Sequence, residues 1–320
     1  MAVCHGVDPT GWRVILNEAV TRVADRFVRA EPRRTAGQFV AGLLSGVERK
    51  TCWSLAERAG HDDPQAMQRL PRTAAWDADA VRDDVRDWLI EQLGHPEALL
   101  VTDETGFLKK GVCSVGVQRQ YTGTAGRVEN SQVGVFLAYV SPAGRAMIDR
   151  RLYLPETSWF DRLERLTAAG VPDDVGFATK PALARQMIAA ALDAGVPVGW
   201  VTGDEVYGAD PGLRADLEHR AIGYVLAVGC DRRVHVNDGR TLIRVDDLAD
   251  RIPTAEWLAP VHHPGHARPG RPDHPRRHHR AAARPRPRPG DHRVDRRRDP
   301  PTPQRLRPRP ATTPSADSAT

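Results

Sequence analysis

Asp103 and Asp204 stand in matching surroundings. Asp103 closes the apolar run ALLVTD and Asp204 closes VGWVTGD, and each is followed by Glu and a glycine-containing loop, DETGF and DEVYG. In open α/β sheets, ligands bind outside the carboxyl ends of the strands. Two carboxylates brought together there repel and raise one another's pKa unless a cation lies between them. Mg²⁺ suits such a pair, with Mn²⁺ as the alternative, because it takes oxygen ligands and keeps waters for the substrate side. Two such ions stabilise the attacking and leaving oxygens of an in-line phosphoryl displacement. A strand-end aspartate can equally cap the loop or helix that follows it. The metal reading therefore requires the two strands to be parallel neighbours, with the carboxylates within about 7 Å in an empty site. It also expects Glu104 and Glu205 to point elsewhere, since successive strand residues face opposite ways.

Other chemistry is weaker. Lys109, Lys110, Arg119 and Arg127 follow the first acid and are candidates for contacting DNA phosphates, although a solvated charged hairpin explains them as well. GTAGR (123–127) lacks the GK[ST] ending of a phosphate loop. No GxSxG occurs, and His5, His61, His95, His219 and His235 are scattered, so a serine hydrolase or histidine-metal enzyme has no support. Cys4, Cys52, Cys113 and Cys230 form no CxxC pair, which argues against zinc and disulfide scaffolds and fits a reducing cytoplasm. No signal peptide or apolar run of membrane-spanning length is visible.

The elements that must position the two acids read as a helical region followed by a mixed sheet. Trp12, Ile15, Ala19, Val23 and Phe27 recur at helical spacing, residues 35–47 form a compact apolar stretch, and residues 77–93 repeat the pattern. Asp77 or Asp79 can cap that third helix, and Gly94 and Pro96 stop it. Such helices make a small bundle, or a domain that binds DNA ends. From Ala98 the pattern turns to strands at 98–103, 133–140 and 146–155, with Ser141, Pro142, Ala143 and Gly144 as a turn. A helix at 181–194, a strand at 198–204, a helix at 211–220 and a strand at 224–229 complete an α/β pattern.

The whole-chain charge of +5 hides a split. Ala259–Thr320 holds fifteen Arg against five Asp and no Lys or Glu, a balance of +10, which leaves the preceding 258 residues near −5. That tail also holds 14 of the 26 prolines, and Val261, Val294 and Leu306 are its only large apolar residues. It is expected to be disordered, because so little apolar surface cannot offset the entropy of ordering the backbone.

The runs VTDETGFLKKGVCSVGVQRQYTGTAGRVENSQVGVFLAYVSPAGRAMIDRRLYLPETSW and FATKPALARQMIAAALDAGVPVGWVTGDEVYGADPGLRADLEHRAIGYVLAVGCDRRV resemble the core of insertion-sequence DDE transposases. The upstream LLSGVERKTCWSLAERAGHDDPQAMQRL extends the likeness, so it covers roughly residues 35–258. The resemblance implies a ribonuclease H-like α/β core, with Asp103 and Asp204 as the first two catalytic, metal-binding acids. It implies DNA as partner, both transposon ends and target, with a homodimer as a further expectation and no membrane. Water would attack a phosphodiester at the transposon end, and the freed 3′-hydroxyl would then attack target DNA.

The family's third acid is a glutamate on a downstream helix, and here Glu256 is the last glutamate. The abrupt change near residues 259–262 is what a shifted reading frame in a GC-rich gene would give, with a genuine basic arm as the alternative. The expected organisation is a helical N-terminal domain at 1–95, an incomplete catalytic core at 96–258 and the tail at 259–320. A chain so built is expected to be catalytically inactive. The rival readings are a DNA-binding protein without catalysis and a phosphohydrolase with Asp103 as nucleophile. The DET triplet lacks the second aspartate that haloacid-dehalogenase-like enzymes place two residues on, which speaks against the latter.

Overall fold

The computed structural model describes residues 9–253. The disorder expected of residues 259–320 lies outside them.

Five helices precede the sheet: α1 (Pro9–Arg22), α2 (Ala30–Leu43), α3 (Cys52–Arg58), α4 (Gln65–Arg69) and α5 (Ala78–Leu93). The spacing that ran from Trp12 to Phe27 breaks earlier than expected. α1 stops at Arg22, a 3-10 turn spans Ala24–Arg26, and Phe27 is extended and stacked on Trp76 at 5.6 Å. α3 begins at a capping box, in which Thr51 and Ser54 satisfy each other's backbone N–H groups. Its Leu55 and Ala56 are buried with Met67 of α4.

α5 starts where its cap predicts, with the Asp77 carboxylate accepting from the N–H groups of Asp79 and Ala80. Two ion pairs bind it to the first helical segment, Arg22–Glu91 and Arg26–Asp84. Its other side meets the sheet, where Arg82 donates to the buried Asp149 at 3.0 Å and Leu89, Ile90 and Leu93 join the main core.

The sheet contains β1 (Leu99–Leu108), β2 (Gln118–Thr122), β3 (Arg127–Ser141), β4 (Gly144–Tyr153), β5 (Trp200–Gly203) and β6 (Gly223–Leu226). Its order is β2-β3-β1-β5-β6, with β4 also on β3. The β1–β3 and β3–β4 pairings are antiparallel, and β5 joins β1 in parallel, as β6 joins β5. Between β4 and β5 lie a π turn (Glu156–Phe160), α6 (Leu163–Ala168) and α7 (Lys180–Asp193). Between β5 and β6 lie α8 (Glu205–Gly208) and α9 (Pro211–His219). A two-stranded hairpin of β7 (Arg233–Val236) and β8 (Thr241–Arg244) and the helix α10 (Val245–Arg251) follow.

One sheet face is sealed. Leu100, Val135, Leu137, Tyr139 and Val201 pack there against Ala184, Met187, Ile188 and Ala191 of α7 and Leu213 and Leu217 of α9. The alternate residues of the parallel half face the other way, and Leu99, Trp200 and Val225 are exposed on it.

The two parallel strands are aligned from below by one phenol. Tyr139, fully buried, accepts from His95 N at 2.8 Å and donates to Pro197 O at 2.9 Å, tying together the segments that enter β1 and β5. Tyr139→Phe removes the partner of two half-buried backbone groups, which costs about 0.5–1.5 kcal/mol per hydrogen bond. Urea denaturation should show that loss, and a change below about 0.5 kcal/mol would mean the two segments are held by something else.

Candidate metal centre

β1 and β5 run parallel in the register Leu99–Trp200 through Thr102–Gly203, so the next residues on each, Asp103 and Asp204, stand side by side. The apolar run ALLVTD predicts a strand that ends at Asp103. In fact β1 continues five residues further to Leu108, because β3 pairs it along its whole length, from Leu99–Val140 to Leu108–Ser131. Asp103 therefore lies mid-strand, opposite Phe136, at the point where β5 ends.

Each acid has one oxygen fixed by the backbone. Asp103 Oδ1 accepts from the N–H of Glu104 at 2.7 Å. Asp204 is the N-cap of α8, and its Oδ1 accepts from Val206 N at 2.9 Å. Asp204 thus does cap a helix, through Oδ1, and no hydrogen bond among the described residues engages its Oδ2.

Glu104 departs from expectation. It does leave β1 on the opposite side, toward α7 and α8, yet its carboxylate joins the other two. One oxygen from each of Asp103, Glu104 and Asp204 lies within 4.8 Å of the others. Glu104 Oε1 accepts from Lys180 Nζ at 2.7 Å and its Oε2 from the Tyr207 hydroxyl at 2.8 Å. Lys180 is the first residue of α7, and its ammonium also lies 5.9 Å from the centre of the Tyr153 ring. Lys180 and Tyr207 were missed in the sequence; their only signal was position, just inside a helix start and three residues past Asp204. Glu205 is exposed and stands outside this cluster.

The electrostatics follow from this crowding. Burial pushes the Asp103 carboxyl above its usual range, and the charges of Glu104 and Asp204 push it the same way. The Glu104 N–H and the Lys180 charge pull it back in part. Burial, then the Glu104 carboxylate, drives the Tyr207 phenol far upward, so it stays protonated and remains a donor. The donor set fits a hard divalent cation, being all carboxylate oxygens with like charges in need of compensation.

The candidate phosphate contacts lie elsewhere. Lys109 and Lys110 follow the end of β1, about 20 Å along the strand from Asp103 at the usual rise per residue. Arg119 lines a cavity of about 690 Å³ with Asn130, Arg162, Arg165 and the floor residue Trp159. Arg165 is spent on structure, stacked 4.0 Å over Trp159 and donating to the carbonyls of Val112, Val117 and Ser158. Arg127 is paired with Glu129 at 2.9 Å.

Residues 22–243 match the family described as DDE superfamily endonuclease. A curated protein named "Probable transposase for insertion sequence element IS701", from Microchaete diplosiphon, is 26% identical over 196 residues, covering 61% of this chain and 48% of that protein. The chain thus spans about half the length of the curated relative it matches. The mixed sheet flanked by helices is the ribonuclease H-like fold of such endonucleases. Among the described residues, no helix is long and apolar enough to cross a membrane.

Proposed function

Because this chain belongs to the DDE superfamily endonucleases, we propose that it is built to cut and join DNA at the ends of an insertion sequence, with Asp103 and Asp204 as its metal-holding acids. The observation that carries this reading is the placement of the two aspartates side by side, one residue past the last paired residues of the parallel strands β1 and β5, with one carboxylate oxygen of each within 4.8 Å of the other. Asp103 and Asp204 would hold Mg²⁺, or Mn²⁺ in its place. When bound, such ions stabilise the attacking and leaving oxygens of an in-line phosphoryl displacement.

The chain's own groups supply the rest of the site. The N–H groups of Glu104 and Val206 orient the two aspartates, and Lys180 offsets the third negative charge. DNA would lie along the outer end of β1, where Lys109, Lys110 and Arg119 carry no ion pair among the described residues, whereas Arg127 is already engaged by Glu129. α1–α5 would form the part that grips transposon ends, in the domain division 1–95, 96–258 and 259–320, and a homodimer would bring two ends together.

No glutamate follows Glu256 in the 320 residues, so these residues offer no candidate for the family's helix-borne third acid beyond that point. Glu104 is a strand residue next to Asp103 rather than a helix-borne acid, and its two oxygens already accept from Lys180 and Tyr207. We read it as a support for the aspartates and not as the third acid. The chain should therefore hold DNA and metal but complete no reaction, which leaves a DNA-binding role as the second reading. The test is a strand-nicking and strand-transfer assay on transposon-end DNA with Mg²⁺ and with Mn²⁺. No product is expected from this chain, together with a gel shift that does not require metal. Metal-dependent joining that disappears in Asp103→Ala would confirm the site and overturn the inactivity.

A further inference from the structure

Asp103 and Asp204 sit on strands that only the fold brings together, and their mutual repulsion works to separate them. Backbone pairing between β1 and β5 ends at Thr102–Gly203, one residue short of both acids. Something beyond the ladder has to hold the Asp204 loop against β1. Tyr207 reaches across the gap. Glu104 is the neighbour of Asp103, Tyr207 lies three residues after Asp204, and the Tyr207 hydroxyl donates to Glu104 Oε2 at 2.8 Å. Tyr207 is fully buried, so this donor has a fixed seat, and α8 carries Asp204 at its N-cap and Tyr207 within its single turn. On the other oxygen, Lys180 at 2.7 Å brings in the start of α7 and compensates the Glu104 charge. Without that ammonium, a third bare carboxylate within 4.8 Å would add to the repulsion.

We propose that Glu104, gripped by Tyr207 and Lys180, is a positioning residue that sets the spacing of Asp103 and Asp204. It acts through the aspartates rather than by binding the ion. The inference rests on the reading of those two aspartates as metal ligands, and it names how the chain keeps them in place.

Mn²⁺ titration of the full-length chain, with free Mn²⁺ followed by electron paramagnetic resonance, separates the possibilities. Direct outer partners of metal ligands are worth about 10- to 100-fold in affinity. Tyr207 and the Glu104 side chain act one contact further out, so a loss at the lower end, about 10-fold, is expected for Tyr207→Phe and for Glu104→Ala. Glu104→Gln keeps an oxygen for the Tyr207 hydroxyl but turns its amide NH2 toward the Lys180 ammonium, so it should lose part of the Mn²⁺ affinity and still bind clearly more tightly than Glu104→Ala. A direct ligand would behave the other way, with Glu104→Gln as weak as Glu104→Ala and Tyr207→Phe nearly silent, and that result would overturn the proposal. So would an unchanged affinity in Tyr207→Phe. Met67→Ala, in the distant α3–α4 cluster, supplies a destabilised control that should leave the Mn²⁺ affinity unchanged. If it also weakened Mn²⁺ binding as much, the effect would be general softening and the positioning role would fall. Failure of the unaltered chain to bind Mn²⁺ at all would remove the metal reading itself, and with it this inference.

Discussion

Asp103→Asn is expected to eliminate measurable Mn²⁺ binding, a loss beyond the about 10- to 100-fold that an outer partner is worth, without unfolding the chain. The substitution keeps the volume and the oxygen that accepts from Glu104 N, so the local backbone has no reason to move. What it removes is one of two charges aimed at the same point. The sign of the stability effect separates this from simple damage. Asp103 has its carboxyl raised by burial and by the charges of Glu104 and Asp204. A carboxyl whose folded pKa lies above its unfolded value binds its proton more tightly in the folded state. Its contribution is favourable at low pH and is lost as pH rises through the folded value, so at neutral pH the ionised group opposes folding. In EDTA, Asp103→Asn should therefore melt at the same temperature as the unaltered chain or slightly higher, and its stability should fall less as pH rises from the acid range to neutrality. Retention of tight Mn²⁺ binding would take Asp103 out of the site. Loss of binding with a marked fall in melting temperature would show only that the strand had been damaged.

What was legible in the sequence was whatever local chemistry specifies. The helix read at 77–93 is α5 at Ala78–Leu93 with the Asp77 cap in place, and the one read at 181–194 is α7 at Lys180–Asp193 behind the Thr179 cap. Both have clean caps and periodic apolar faces, and need no distant partner to be recognised. Strand ends were misjudged for the opposite reason. TDETGFL has no clear alternation, and β1 reaches Leu108 only because residues 131–136 of β3 pair with it. The short polar strands QRQYT, RVHV and TLIR gave no signal, since their pairing is what makes them strands. The site divides along the same line. Asp103 and Asp204 could be found because each follows an apolar run. Glu104, Lys180 and Tyr207 could not be linked, because their contacts span 76 and 103 residues. Glu104 was also misjudged by strand alternation. It leaves the expected face, but at the open end of β5 a long side chain can curl back toward its neighbour.

Gly208→Ala is expected to be among the most damaging single-methyl additions to the site. Gly208 closes α8, is buried, and receives the Asp204 carbonyl as acceptor for its N–H at 2.9 Å. Its α-carbon lies so close to the end of β6 that an added Cβ would overlap the Ala227 carbonyl oxygen and come within 3.2 Å of Leu226 Cβ. The obstacle is backbone, which cannot swing aside, and Ala227 is itself fixed by donating its N–H to Gly203 O at 3.0 Å. A methyl there must lift α8 off the sheet. Overpacking of this kind costs about 1–3 kcal/mol, occasionally more, which chemical denaturation will report. A functional consequence of similar size should accompany the stability one, because α8 carries both Asp204 and Tyr207. A shift of either breaks the spacing to Asp103, so Mn²⁺ affinity should fall by about 10-fold or more, as for a lost outer partner. Gly176→Ala is the matched control, since an added Cβ there meets nothing within 4 Å and should leave both stability and Mn²⁺ binding unchanged. Were Gly208→Ala equally silent, α8 would have room to move without consequence, and its close docking on β6 could not be what places Asp204 beside Asp103.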